Sequence, residues 1–171
     1  MKRRAILVAL LVALVSLAAR AGYVIENVNL PAELRGGIAA VSFTPGGSAV
    51  VATRLGEIWL RPAGEATAWR RFAAGLDEPM GLIAESERVI LVAHRPELLR
   101  MTDADGDGHA DTFEAIGGRW GQSINYHEFL FGPAQDAAGN FFVAPSLDST
   151  TASDPAQKTA YPNLPVRGRR D

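Results

Sequence analysis

Five carboxylates fall within twelve residues in the stretch DADGDGHADTFE, Asp103 to Glu114. Counted from Asp103, the acids Asp103, Asp105, Asp107 and Asp111 take loop positions 1, 3, 5 and 9, with Gly108 at position 6 and Glu114 at position 12. That spacing satisfies the D-x-[DN]-x-[DN]-G-x5-E pattern of an EF-hand calcium loop. Alternate residues of a tight loop turn their oxygens inward, and the glycine permits the sharp bend. His109, at position 7, offers its backbone carbonyl, and Glu114 closes the shell, giving the all-oxygen coordination that Ca²⁺ takes. Without a cation the loop would hold like charges a few ångströms apart, which favours disorder. The residues therefore predict a metal site of Asp103, Asp105, Asp107, His109, Asp111 and Glu114, in competition with a solvated acidic turn. The His109 ring itself is expected to face solvent.

The flanks do not suit an EF-hand. The incoming RVILVAHRPELLRMT carries β-rich runs around Arg95-Pro96, and Pro96 opposes a continuous helix. After residue 21 no segment keeps a period of 3.6. Short apolar or alternating runs recur instead, punctuated by Gly, Pro or Asp, as strands and turns do. IAAVSFTP, SAVVATR and EIWLRPA form one set, MGLIAES, RVILVAH and ELLRMTD a second, and HEFLFGPA with FFVAPS the start of a third. Gly37 and Gly81 open the first two sets 44 residues apart, and VVATRLGEIWLR aligns with ILVAHRPELLR across a one-residue gap. A unit of about 40–50 residues with four short strands has the period of a β-propeller blade. The expected fold is all-β: a partial β-propeller of about three four-stranded antiparallel blades over residues 22–147, following an N-terminal signal helix. An ordinary meander or sandwich of similar strands is the alternative. Three blades do not close a ring of the usual about four to eight. The chain is therefore expected to be a truncated product or part of an assembly. Residues 148–171, rich in Ser, Thr, Pro and Ala, read as a loop or disordered tail.

The beginning of the chain, MKRRAILVALLVALVSLAARA, pairs a basic start with an apolar run and small residues at Ala19 and Ala21. It predicts a secretory signal peptide over residues 1–21, hence export to a periplasmic or extracellular space, with no stable membrane anchor after cleavage. An uncleaved anchor is the alternative, but the run is short for a span of about 20 apolar residues. Cleavage would lower Lys+Arg from 17 to 13 against 19 Asp+Glu, a formal charge of −6. Such an acidic chain has no electrostatic footprint for nucleic acid. With no Cys, this polypeptide offers no disulfide, thiolate zinc site, attached c-type haem or cysteine nucleophile.

Few other residues suggest chemistry. His127, just before a predicted strand, is a candidate general base facing a propeller axis, or else a hydrogen-bonding bridge between blades. Its neighbour Glu128 points to the opposite strand face and does not pair with it. Arg54 and Arg95 hold matching places after the middle strands of the first two sets. They are candidates for an anionic cofactor at one mouth of the ring, or for structural turn contacts. His94 is similarly ambiguous. Trp59, Trp69 and Trp120 are expected to pack between blades.

ELLRMTDADGDGHADTFEAI followed by NYHEFLFGPAQDAAGNFFVA resembles the N-terminal blades of secreted sugar-dehydrogenase-like β-propellers, the glucose/sorbosone dehydrogenase and membrane-bound dehydrogenase domain type. The resemblance runs from about Tyr23 to Ser146. It implies a six-bladed parent that binds pyrroloquinoline quinone with Ca²⁺ and oxidises sugars or polyols, with His127 nearest to the proton-abstracting role. It also implies missing blades or a cytochrome-type partner in the parent protein. His127 lacks the family's His-(x)-Gly-Gly-Arg setting, and the family's calcium beside the quinone is not held by a D-x-D-G-D-G loop. The loop here is therefore expected to be structural, and this chain by itself inactive. The expected function is the N-terminal portion of an exported sugar or alcohol dehydrogenase-like propeller with a calcium loop. A non-catalytic, calcium-stabilised module for carbohydrate or protein binding is the alternative.

Overall fold

The computed structural model describes residues 23–118 and 128–146. The expected signal segment, Trp120, His127 and the expected tail lie outside them. The described chain is all-β. Strands β1 (Ile38–Phe43), β2 (Ala49–Thr53), β3 (Ile58–Arg61) and β4 (Arg70–Ala73) form a first antiparallel meander. A second consists of β5 (Gly81–Ala84), β6 (Val89–His94), β7 (Glu97–Thr102) and β8 (Thr112–Gly117). A hairpin of β9 (Leu130–Gln135) and β10 (Phe141–Pro145) follows. Among the described residues no helix is long and apolar enough to cross a membrane.

Side-chain alternation explains how these sheets stack. In β2, Val50 and Ala52 face the second sheet, where Ile90, Val92, Leu99 and Met101 meet them in one core that also holds Ile58, Leu60 and Phe72. The other face of the second sheet presents Leu91, Ala93 and Leu98 to Leu130 and Phe141 of the hairpin in a second core. Thus β6 is buried on both sides, and its run Val89–Ala93 reads as continuously apolar because each face has a sheet against it. Completely burying one such Leu or Ile contributes about 1.5–3 kcal/mol.

The first strands of the three sheets lie side by side, β1 against β5 and β5 against β9. The second approach is close. A Cβ built on Gly81 would lie 1.4 Å from the Gly132 carbonyl oxygen, so no side chain fits there.

The four-stranded units expected from the sequence are found in the first two sheets, but the sequence alone does not place their fourth strands. The segments RRFA and TFEAIG form β4 and β8, the fourth strand of each sheet. The burial of β8 is mostly slight: Thr112 to Ala115 are all exposed. An outermost strand with one solvated face carries little apolar alternation, which is why neither stands out in the sequence.

Candidate metal centre

The acidic loop connects β7 to β8 and is held by strands on both flanks, where an EF-hand would have helices. Its neck forms when the Asp103 amide donates to the Arg88 carbonyl at 2.8 Å and the Asp111 amide donates to the Thr102 carbonyl at 2.9 Å. Arg88, from the β5–β6 turn, donates its Nε to the Asp103 carbonyl at 2.9 Å and its Nη2 to the Ala104 carbonyl at 2.5 Å. The far side of the loop docks on the first sheet. There the Ala110 amide donates to the Phe72 carbonyl at 2.8 Å, and the His109 Nδ1 lies 2.8 Å from the Arg71 carbonyl. The ring of His109 stays exposed, as expected, and also ties the loop to β4.

Within the loop the carboxylates act first on the backbone. Asp103, 2% exposed, accepts the Gly106 amide on Oδ1 at 2.6 Å and the Gly108 amide on Oδ2 at 3.0 Å. Asp111 Oδ2 accepts the Ala104 amide at 2.7 Å and the Asp105 amide at 3.3 Å. Asp105 and Asp107 each accept the amide two residues on, as Asx turns do. Gly108 is required by its backbone, and a side chain there would also displace Arg70. Its φ is +92°, and a Cβ there would come within 2.9 Å of the Arg70 side chain.

Ligand-type oxygens of Asp103, Asp105 and Asp111 lie within 4.8 Å of one another, with Asp103 buried and the other two exposed. Of the six residues expected at the metal, these three are brought together. Glu114 is not among them. It stands in β8 opposite Arg100, and its Oε2 is 3.9 Å from Arg100 Nη1. An extended strand after the loop carries position 12 away, where the helix of an EF-hand would fold it back. The donor set is all oxygen and suits a hard cation such as Ca²⁺, though it falls short of the six to eight ligands that ion takes.

The two arginines singled out as cofactor ligands also meet, but around an acid. Arg54 Nη2 donates to Glu78 Oε1 at 2.9 Å, and Arg95 Nη1 lies 3.7 Å from Glu78 Oε2. Arg54 also stacks over the Phe129 ring at 5.2 Å. Glu78 sits at φ 45° in the β4–β5 connection, a conformation that favours glycine or asparagine. No sequence pattern pointed to it.

His94 is buried at the same junction. It accepts the Asp77 amide on Nδ1 at 3.3 Å, which places its proton on Nε2, 3.6 Å from Glu97 Oε1. Burial pushes its pKa below the ordinary value of 6.5, against the pull of Glu97 and Asp77. It is therefore a neutral structural histidine. Compared with known proteins, the chain matches no family model and no curated protein.

Proposed function

We propose that the chain is the N-terminal portion of an exported β-propeller in which a calcium ion, held by Asp103, Asp105 and Asp111, fastens one blade to the next. The carrying observation is the place of the loop. Three carboxylates converge at the one connection of the second sheet that also reaches across to β4 of the first. The all-antiparallel, repeated four-stranded sheets with adjoining first strands support the blade reading. With Glu114 turned to Arg100, the ligand count is lower than in a complete EF-hand loop, so affinity belongs with extracellular modules, at a Kd of about 10⁻⁴–10⁻³ M.

Of the two activities expected from the sequence, the non-catalytic module for carbohydrate or protein binding is better supported. The arginines that would hold an anionic cofactor are closed onto Glu78. The quinone-dependent oxidation of a sugar or polyol rests on the resemblance to the dehydrogenase-type propellers alone.

Melting curves in EGTA and in 10 mM CaCl₂ test the metal. At ten times Kd, binding to the folded state adds about 1.4 kcal/mol. Asp105→Ala should abolish that gain, and coincident curves for the parent chain would refute the calcium site.

A further inference from the structure

The acidic loop holds the chain's two Asp-Gly pairs, Asp105–Gly106 and Asp107–Gly108, and the sequence has no Asn-Gly pair. An Asp-Gly pair can rearrange without an enzyme, because glycine has no Cβ to hinder its own nitrogen. That nitrogen bonds to the carboxyl carbon of the protonated aspartate side chain, and the hydroxyl leaves with the amide proton as water. Water then opens the resulting five-membered imide. Cleaving the new bond restores aspartate. Cleaving the original main-chain bond gives isoaspartate, whose backbone runs through the former side chain. Water is lost once and gained once, and nothing is oxidised or reduced.

Both pairs are folded toward this reaction. Asp105 Oδ1 accepts the Asp107 amide at 3.1 Å, and Asp107 Oδ1 accepts the His109 amide at 2.8 Å. Each bond closes a small ring that contains the aspartate carboxyl carbon and the intervening glycine nitrogen, so the reacting groups are already neighbours. What differs is the freedom of the glycine. Gly108 is buried, its amide donates to Asp103 Oδ2 at 3.0 Å, and the Arg70 side chain packs against it. The residue that follows, His109, is docked on the Arg71 carbonyl. Gly106 is exposed between exposed Asp105 and Asp107, and its amide is held by Asp103 Oδ1 at 2.6 Å. Opening that one hydrogen bond frees the Gly106 nitrogen. Freeing the Gly108 nitrogen also requires the loop to leave the first sheet.

We propose that Asp105 is a site of spontaneous isomerisation in the cation-free chain, and that a bound cation protects it. The protection rests on the calcium reading given above; the choice of Asp105 over Asp107 does not. Isoaspartate carries one more backbone carbon than aspartate, which moves the carboxylate out of the set it forms with Asp103 and Asp111. A chain left without calcium therefore loses the site, and calcium added later does not restore it. A cation on Asp105 holds the carboxylate oxygen that would have to leave, so only unoccupied chains react. At ten times Kd these are about one in eleven, and the reaction slows about tenfold.

The test is incubation of the purified chain at neutral pH in EGTA or in 10 mM CaCl₂, with isoaspartate located over time. Trypsin releases residues 101–119, bounded by Arg100 and Arg119, and isoaspartate changes that peptide's retention but not its mass. Electron-transfer fragmentation assigns the change to Asp105 or Asp107. In EGTA the Asp105 product should form several-fold faster than the Asp107 product, as the extra contacts of Gly108 require. Calcium should slow it about tenfold. Asp103→Ala frees both glycine amides and should bring the Asp107 product level with the Asp105 product. Asp105→Glu, whose longer side chain cannot close the five-membered ring, should leave only the Asp107 product. Equal formation at the two pairs in the parent, or none at Asp105, overturns the proposal, and that comparison needs no variant to fold. A calcium shift in the melt with an unslowed reaction overturns the protection. An absent calcium shift with Asp105 still reacting in EGTA supports the isomerisation site and sinks only the calcium reading.

Discussion

Asp103→Ala separates what the acidic loop does for the backbone from what it does for a cation. The carboxylate is 2% exposed and accepts two amides, from Gly106 and Gly108. Hydrogen bonds to a charged acceptor contribute about 1.5–3 kcal/mol each, and leaving a buried donor unmet costs a similar amount. Water can reach Gly106 more easily than Gly108, so we set the loss at about 3 kcal/mol. For a fold of this size that lowers the melting temperature by about 10 °C. This loss should appear in EGTA, where no cation contributes. Asp105→Ala is the contrasting variant. Asp105 is exposed and accepts only the Asp107 amide at 3.1 Å, so in EGTA it should cost less than about 1 kcal/mol. Both variants should lose the calcium gain. Thermal melting by circular dichroism, with and without EGTA, gives all four values. If Asp103→Ala melts with the parent in EGTA, the buried carboxylate is not organising the loop and the reasoning fails.

Further outcomes follow from other sites. His94 has its pKa lowered by burial, so below pH 6.5 the unfolded chain takes up a proton that the folded chain refuses. Stability should fall as pH drops through 6.5 toward the lower folded value, and urea midpoints of His94→Gln should show a flatter dependence; parallel curves would refute it. Burial raises the Glu57 carboxyl, but hydrogen bonds from Trp59 and Arg71 and the Arg35 amide prevail and hold it below its ordinary 4.5. Its contribution is therefore present above pH 4.5 and lost as pH falls through the folded value. Glu57→Gln should reduce the acid sensitivity of urea midpoints in that lower window and leave the His94 window unchanged. Gly81→Ala must push β5 away from the Gly132 carbonyl; overpacking predicts a loss of about 1–3 kcal/mol, and an unaltered denaturation midpoint would show that the strands do not approach so closely.

The inner strands were legible because burial on both faces leaves an unbroken apolar run, as in VILVA of β6. Pro96 was equally informative, since it removed the helix and left a strand connection for the acidic loop. The outer strands were not legible. RRFA and TFEAIG carry charge on a solvated face, and only pairing with β3 and β7 reveals them. The site was half visible. Spacing picked out Asp103, Asp105 and Asp111, but spacing alone assumes that position 12 folds back. Extended backbone from Thr112 carried Glu114 to Arg100 instead. The matched positions of Arg54 and Arg95 were apparent, whereas their shared counterion depends on the unusual backbone of Glu78, which no pattern announces.

The docking of the loop on β4 has a kinetic consequence. The Ala110 amide belongs to the second sheet by sequence, yet its acceptor is the Phe72 carbonyl of the first. Its deuterium uptake should therefore follow the opening of the first sheet rather than that of its own loop. The amide of Asp111, bonded to Thr102 within its own sheet, provides the neighbouring clock against which to read it.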